Sequence, residues 1–439
     1  MRPFEWALFL SFLPMWGLTA GRWGRRGALA ALLPLVAAVA QLVLEGARLE
    51  VLPLDVLAGL ALLRVRPPRP HRWWALAGFA VVYVLAGLVP GWLLPVLTLP
   101  DPSGPHPVGV VDRVLTDPAR HRRLMVTVWY PAARRGPRAP LFSTPDAVTT
   151  GLASAFGVPL AAPALRHLRY STIAATAGAP ALTGRGAFPV LISSHGMVGL
   201  RSQNSGSFQD LASWGYVVVA IDHTDAAAVT VFPDGEVRPF DLRRFGLRPQ
   251  DAGRVNEVLL PVWVADQRLV YDAVARWQRD DPLLAGRLDT ARMASLGHSF
   301  GGVVSLAVCR VDVRCRAAVN LDGGYQPGVM PPPAHRPLLI LSSEGSDDNP
   351  TATGAWARIV TQARGPAFWL TVPHSTHLSL TVAPFISPLL VPHGADPRTD
   401  LRTLNGVLRA FVDRYVRGNG VPFERAPAVR AMRRRVTRP

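Results

Sequence analysis

Two patterns of hydrophobic and polar positions divide the chain near residue 100. Before it, apolar stretches run at about 4–20, 28–44, 51–63 and 73–97, separated by short polar segments. The second (ALAALLPLVAAVAQLVL) and the fourth (WWALAGFAVVYVLAGLVPGWLLPVL) contain no charge. Both approach or exceed the roughly 20 residues needed to cross a hydrocarbon core. The first is short and aromatic-rich; the third is short, holds Pro53 and is interrupted by Asp55. The pattern predicts an all-α transmembrane region of about four helices over residues 1–100. A cleaved leader is the weaker reading, because three further apolar segments follow the first.

Beyond LPDPSGPHP (99–107), which reads as a proline-rich linker, the rhythm changes. Short β-branched runs predict strands at 124–130, 188–194, 216–222, 291–297, 316–322, 336–343 and 367–372. Several are almost continuously apolar, as expected for strands covered on both faces of a parallel sheet. Helical stretches such as SFQDLASWG (207–215) and VWVADQRLVYDAVARWQ (262–278) lie between them. That alternation predicts an α/β domain over 101–424 with a mostly parallel sheet. Residues 140–186 and 224–260, rich in Pro, Gly and Ala, break the alternation and read as cap-like insertions.

Composition refines this division. The 439 residues carry a net charge of +17, and every basic residue is arginine. Residues 1–100 hold nine arginines against Glu5, Glu45, Glu50 and Asp55, and the tail from Arg425 to Pro439 holds six arginines and no acid. Charge placed at the two ends is a poor footprint for nucleic acid and a better one for membrane flanks and a disordered basic tail at 425–439. The loops GRWGRR (21–26) and RVRPPRPHR (64–72) are strongly basic and EGARLE (45–50) is not. Basic loops stay cytoplasmic, so four spans would place the domain after residue 100 outside the cell membrane; if the stretch at 51–63 does not cross, the orientation reverses. Cys309 and Cys315 are the only cysteines; no Cys/His cluster offers a metal site, and no cofactor motif is present. Outside the cytoplasm the pair could close a small disulfide loop; two buried thiols are an equal expectation.

The candidate chemistry lies in SLGHSFGG (295–302). A G-x-S-x-G pattern alone says little. Here a strand precedes it and the helical GVVSLAVCR follows, and strand–turn–helix around such a serine is a nucleophile elbow of the α/β-hydrolase fold. Gly297, His298 and Gly301 form the turn, and Ser299 is the candidate nucleophile. The amide of Phe300 is one candidate oxyanion donor and that of Met197, in LISSHGMVG, the other. His195 reads as an orienting group rather than a base. VPHSTHLSL (372–380) offers His374 and His377 as bases; Asp322, Asp347 and Asp348 are candidate acids.

The stretch from about 120 to 415 resembles the platelet-activating-factor acetylhydrolase family, of the lipoprotein-associated phospholipase A2 type. The resemblance rests on VTVWYPA (126–132), FPVLISSHGMVGLRS (188–202), LASWGYVVVAIDHTD (211–225), GHSFGG, NLDGG (320–324), PLLILSSE (337–344) and STHLSLTVAPF (375–385). It implies a Ser299, Asp322, His377 triad, oxyanion donors at Met197 and Phe300, and calcium-independent hydrolysis of short or oxidised acyl esters of phospholipids or related amphiphiles. Bacterial cutinase-like and polyester-cleaving esterases share the segments resembling DHTD and NLDGG, so a general carboxylesterase is an alternative. An acyltransferase with the same triad is another, and a non-catalytic membrane receptor on a hydrolase fold is a distant one.

Overall fold

The computed structural model describes residues 6–11, 25–44, 51, 54, 89, 91–184, 186–324, 335–419 and 421–438. The apolar stretches at 4–20, 51–63 and 73–97 lie largely outside the described residues. The one at 28–44 falls in a helix, α1 (Arg25–Leu44). Among the described residues no helix is long and apolar enough to cross a membrane.

From residue 108 onward the chain builds around one sheet. β1 (Val108–Asp117) and β2 (Arg122–Pro131) form an antiparallel hairpin. The first insertion carries β3 (Ala139–Pro140), α2 (Pro145–Ala155), β4 (Thr172–Ile173) and β5 (Thr176–Ala177). Then come β6 (Phe188–Ser194), α3 (Ser205–Ser213) and β7 (Val217–Asp222). The second insertion holds the pair β8 (Val229–Val231) and β9 (Val237–Pro239), and leads into α4 (Val255–Asp280). β10 (Leu288–His298), α5 (Phe300–Val311), β11 (Cys315–Leu321), β12 (Leu338–Ser343), α6 (Pro350–Gln362), β13 (Ala367–Val372), α7 (Pro397–Val412) and β14 (Arg433–Arg438) complete it. The ten-stranded sheet runs β14-β13-β12-β11-β10-β6-β7-β2-β1-β5. Its centre, from β7 through β6 and β10 to β13, is parallel.

The near-continuous apolar runs follow from a two-sided core. In β6, Leu191 faces one cluster, with Phe208 and Leu211 of α3 and Phe411 of α7. Val190 and Ile192 face the other, with Val270 of α4, Val304 of α5 and Trp356 of α6. Successive side chains alternate faces, so both must be apolar where helices cover both. Each fully buried Val, Leu or Ile stabilises by about 1.5–3 kcal/mol.

Three segments acquire definite places. The segment 99–107 is strapped to α3 rather than free. Asp210 and Ser213 accept from the Ser103 and Gly104 amides at 2.7 and 2.9 Å, Gln209 Nε2 donates to the Pro100 carbonyl, and Leu99 is buried. The insertions do not stand apart. β5 extends the sheet beside β1, Ala226, Ala227 and Ala228 are core residues, and α2 packs so tightly on β8 that a Cβ on Gly151 would lie 2.6 Å from Val229. They enclose a cavity of about 240 Å³ walled by Trp129, Leu141, Phe142 and Leu200, on the β1–β2 side and away from β10. The arginine-rich tail, expected to be disordered, forms β14 and pairs antiparallel with β13. RRRVTR has no apolar rhythm to signal a strand; polar, arginine-rich edges are how sheets end without further pairing.

The packing between β10 and α5 sets what the nucleophile turn can be. A Cβ on Gly297 would lie 2.3 Å from the Gly301 carbonyl oxygen, and one on Gly301 would lie 2.3 Å from that of Ser194. Backbone cannot recede from such a contact without separating helix from sheet. Gly301→Ala is therefore expected to lower unfolding stability by about 3 kcal/mol or more. Urea unfolding followed by tryptophan fluorescence would check this; a change below about 1 kcal/mol would show that the helix can shift.

Candidate active site

β10 ends at His298, and α5 starts at Phe300. Ser299 between them has φ 54° and ψ −125°, a conformation that L side chains rarely adopt. The strained turn lifts its side chain out of the strand at the helix N-terminus, where the first amides have no intrahelical acceptor. Both neighbouring loops touch this residue. A Cβ on Gly196 would come 3.0 Å from Ser299 Cβ, and one on Gly323 would come 2.2 Å from the Ser299 carbonyl oxygen. The loops after β6 and β11 thus converge on the serine because glycines stand at the contacts.

Asp322 follows β11, has φ 56° and is 3% exposed. Its carboxylate accepts four hydrogen bonds. Oδ1 takes the Ser343 amide at 2.9 Å; Oδ2 takes Ser343 Oγ at 2.8 Å, Ser346 Oγ at 2.9 Å and His377 Nδ1 at 2.8 Å. Burial alone would raise this carboxyl, but the bonds from His377 and Ser343 hold it below the ordinary carboxylate range. With Nδ1–H committed to Asp322, Nε2 of a neutral His377 is left as a proton acceptor, and the imidazole is 44% exposed. Its backbone carbonyl accepts from His298 Nε2 at 2.8 Å. His298 Nδ1 in turn accepts from Gln203 Nε2 at 2.7 Å. The second elbow residue therefore fixes the loop that carries the imidazole. Burial, with His377 alongside, pushes His298 down to about 3, so it stays neutral in this role.

The other sequence candidates go elsewhere. Asp347 pairs with Arg433 and Arg435 of β14. His374 is largely exposed, 3.9 Å from Glu344. Gln203 was not singled out by the sequence: nothing local marks it. Yet its Oε1 accepts the Gly196 amide at 3.3 Å while its Nε2 holds His298, linking the loop after β6 to the elbow.

His195 explains the shape of that loop. Its Nε2 accepts the His223 amide at 3.1 Å, so the proton sits on Nδ1, which donates to the Gly196 carbonyl at 2.6 Å. The Gly199 amide donates to the same carbonyl at 2.9 Å. In a trans peptide the C=O and N–H point opposite ways. Two donors on the Gly196 oxygen therefore aim the Met197 N–H away from them, and Val198 at φ 54° carries the strain of the turn. Burial lowers the His195 pKa, consistent with a neutral orienting group.

Beneath the sheet lies a buried serine–histidine–aspartate chain. Ser194 Oγ contacts His223 Nε2 at 2.8 Å, and His223 Nδ1 contacts Asp266 Oδ2 at 3.0 Å. All three are fully buried. Gln267 Nε2 occupies the Ser194 oxygen, Trp263 stacks on His223 at 3.8 Å, and Arg122 binds both oxygens of Asp266 at 2.8 Å. No substrate could reach this serine, so the chain is a structural network. It accounts for the His of DHTD; Asp222 and Asp225 of that segment pair with Arg201 and Arg238. Burial pushes His223 down to about 3.

Residues 94–238 match a family model described as platelet-activating factor acetylhydrolase, isoform II. The chain is 27% identical over 249 residues to a platelet-activating factor acetylhydrolase of Cavia porcellus, covering 51% of this chain and 55% of that one. It is 28% identical over 278 residues to a probable 1-alkyl-2-acetylglycerophosphocholine esterase of Arthroderma benhamiae, covering 56% and 62%. The chain thus spans between half and two thirds of the length of these curated relatives. Among solved structures, a ferulic acid esterase from Streptomyces cinnamoneus superposes with a TM-score of 0.61 at 27% identity, covering 76% of this chain and 98% of that one. The mostly parallel, helix-covered sheet is thus an α/β-hydrolase fold similar to that esterase.

The buried imidazoles carry a stability consequence. His223 and His298 bind no proton in the folded state until about pH 3, whereas in the unfolded chain they titrate near 6.5. Below about pH 6.5 the unfolded state therefore holds more protons, and stability is lost as pH falls. Each histidine contributes a slope of about 1.4 kcal/mol per pH unit. Urea midpoints measured from pH 7.5 to 5 should fall steadily below 6.5; a flat profile would mean that these rings are protonated or unburied.

Proposed function

We propose that the chain is a serine ester hydrolase of platelet-activating-factor acetylhydrolase type, acting on short or oxidised acyl esters of phospholipids or related amphiphilic esters. One observation carries this reading: the His377–Asp322 hydrogen bond at 2.8 Å, on a loop bonded through His298 to the strained strand-to-helix turn that carries Ser299. The similarity to acetylhydrolases and to an esterase points the same way.

In this reading His377 Nε2 takes the hydroxyl proton as Ser299 Oγ attacks the ester carbonyl carbon. Asp322 holds the imidazole in the required tautomer and stabilises its cation. The Met197 and Phe300 amides bind the tetrahedral oxyanion, each worth roughly 3–4 kcal/mol in comparable sites. The C–O bond to the leaving alcohol breaks as His377 returns the proton to it. Water, deprotonated by the same imidazole, then attacks the acyl-enzyme and releases the acid and Ser299. Leu378, Leu389 and Leu390 are exposed on the segment that carries His377 and just after it, which suits an amphiphilic ester. The likeness to a ferulic acid esterase favours a second reading, a general carboxylesterase with the same machinery.

We also propose that the N-terminal region tethers the hydrolase domain to a membrane, on its extracytoplasmic side. Supporting this are the uncharged stretches at 28–44 and 73–97, and the exposed Leu32, Leu33, Val36, Val39, Leu42 and Val43 of α1. Cys309 and Cys315 are disulfide-bonded, as suits an oxidising compartment.

A fluorophosphonate should label the full-length protein in detergent and fail to label Ser299→Ala. Asp322→Asn should lower kcat by about 10⁴-fold, whereas Asp347→Asn should keep most activity. Labelling of Ser299→Ala, or the reverse aspartate result, would overturn the assignments. Turnover of short-acyl sn-2 phospholipids supports the acetylhydrolase reading; turnover of simple p-nitrophenyl esters alone supports the carboxylesterase. Alkaline carbonate should leave the full-length protein in the membrane fraction, and its release would defeat the tether.

A further inference from the structure

The C-terminal arginines lie where the candidate acid and base loops meet. After β12 the chain reads Ser343-Glu344-Gly345-Ser346-Asp347-Asp348. Ser343 and Ser346 supply three of the four hydrogen bonds to Asp322. The same segment grips the histidine loop. Glu344 Oε2 accepts the His374 amide at 2.7 Å, the Glu344 amide donates to Ser375 Oγ at 3.2 Å, and the Gly345 amide donates to the Ser375 carbonyl at 2.9 Å. This short turn therefore sets the position of Asp322 relative to His377.

Electrostatics work against that turn. It holds three acids in five residues, beside a buried Asp322 that is itself ionised. Like charges this close repel, and Asp322 is partly shielded from water. The compensating charges come from β14. Arg433 Nη2 donates to Glu344 Oε1 at 2.5 Å and its Nη1 to Asp347 Oδ2 at 3.4 Å; Arg435 also pairs with Asp347, and its Nε donates to Thr371 Oγ1 of β13 at 3.1 Å. A bulge leaves Arg435 without a partner in the β13 ladder, and from there it reaches Asp347 alongside Arg433. Isolated surface pairs contribute little, but two arginines shared between two carboxylates on a fixed strand form a network.

We propose that Arg433 and Arg435 are positioning residues for the Asp322–His377 pair. They neutralise and clamp the Glu344–Asp347 turn so that Ser343 and Ser346 reach Asp322. The tail is then a part of the hydrolase domain that acts on turnover from outside the site. This rests on the esterase reading above.

The test uses full-length protein and a soluble p-nitrophenyl ester. R433Q/R435Q removes both charges and leaves the backbone pairing of β14 intact. It should lower kcat by about tenfold with KM unchanged and the thermal midpoint held. R433K/R435K, which restores the charge, should recover most of kcat. In the Asp322→Asn background the glutamine pair should cause no further loss, because the clamp acts through Asp322. Wild-type kcat in folded R433Q/R435Q would overturn the proposal. So would an equal further loss in the Asp322→Asn background, or a fall in kcat that only tracks a lowered thermal midpoint. Wild-type kcat in Asp322→Asn alone would instead overturn the assignment of the acid.

Discussion

The site depends on how closely three backbones can approach at Ser299. The helix after the serine, the strand end at Ser194 and the loop at Gly323 all come within a distance that no Cβ tolerates. Hypothetical side chains at Gly297, Gly301 and Gly323 would lie 2.2–2.3 Å from carbonyl oxygens. With that crowding the serine sits at positive φ, and the loops at Gly196 and Gly323 lie against it. The glycines matter here for the space they leave.

A fully bonded chain of serine, histidine and aspartate elsewhere in this molecule shows why the pattern of bonds does not by itself make chemistry. Ser194, His223 and Asp266 are linked at 2.8 and 3.0 Å, but they lie under the sheet, stacked on Trp263 and capped by Gln267. Desolvation keeps that histidine neutral, and no reactant can enter. Asp322 and His377 stand at the C-terminal edge of the strands with the imidazole partly in solvent. There the carboxylate is buried and the imidazole is reachable, which is the arrangement that the proposed proton transfer would need. The sealed chain has a different use. Through the His223 amide it fixes the tautomer of His195, and His195 in turn aims the Met197 amide.

Charge is organised in the same spirit. Buried carboxylates are each met by an arginine or a set of donors: Asp266 by Arg122, Asp222 by Arg201, Asp322 by two serines and a histidine. Unpaired, any of them would be costly at that depth. Two of the C-terminal arginines, Arg433 and Arg435, in a segment that by composition suggests a loose basic tail, pair with the acids of the turn after β12.

Much of this was legible in the sequence. The apolar rhythm placed β6 and β13 at their observed bounds and most other central strands within about two residues. The glycine spacing located the elbow, and chain order brought forward Asp322 and His377 among a few candidates. These signals are local: side-chain alternation and turn sterics act over a handful of residues. β1 and β14 escaped because one follows prolines with charges in its middle and the other is mostly arginine, so neither shows an apolar period. Gln203, the sealed Ser194 chain and the pairing of Asp347 with Arg433 and Arg435 were also invisible. Which of two aspartates meets a histidine, and whether a serine faces solvent or a tryptophan, depends on loops that are distant in sequence and adjacent only once the sheet has formed. Only the tertiary structure decides those partners, because a hydrogen bond is specified by position in space and carries no signature along the chain.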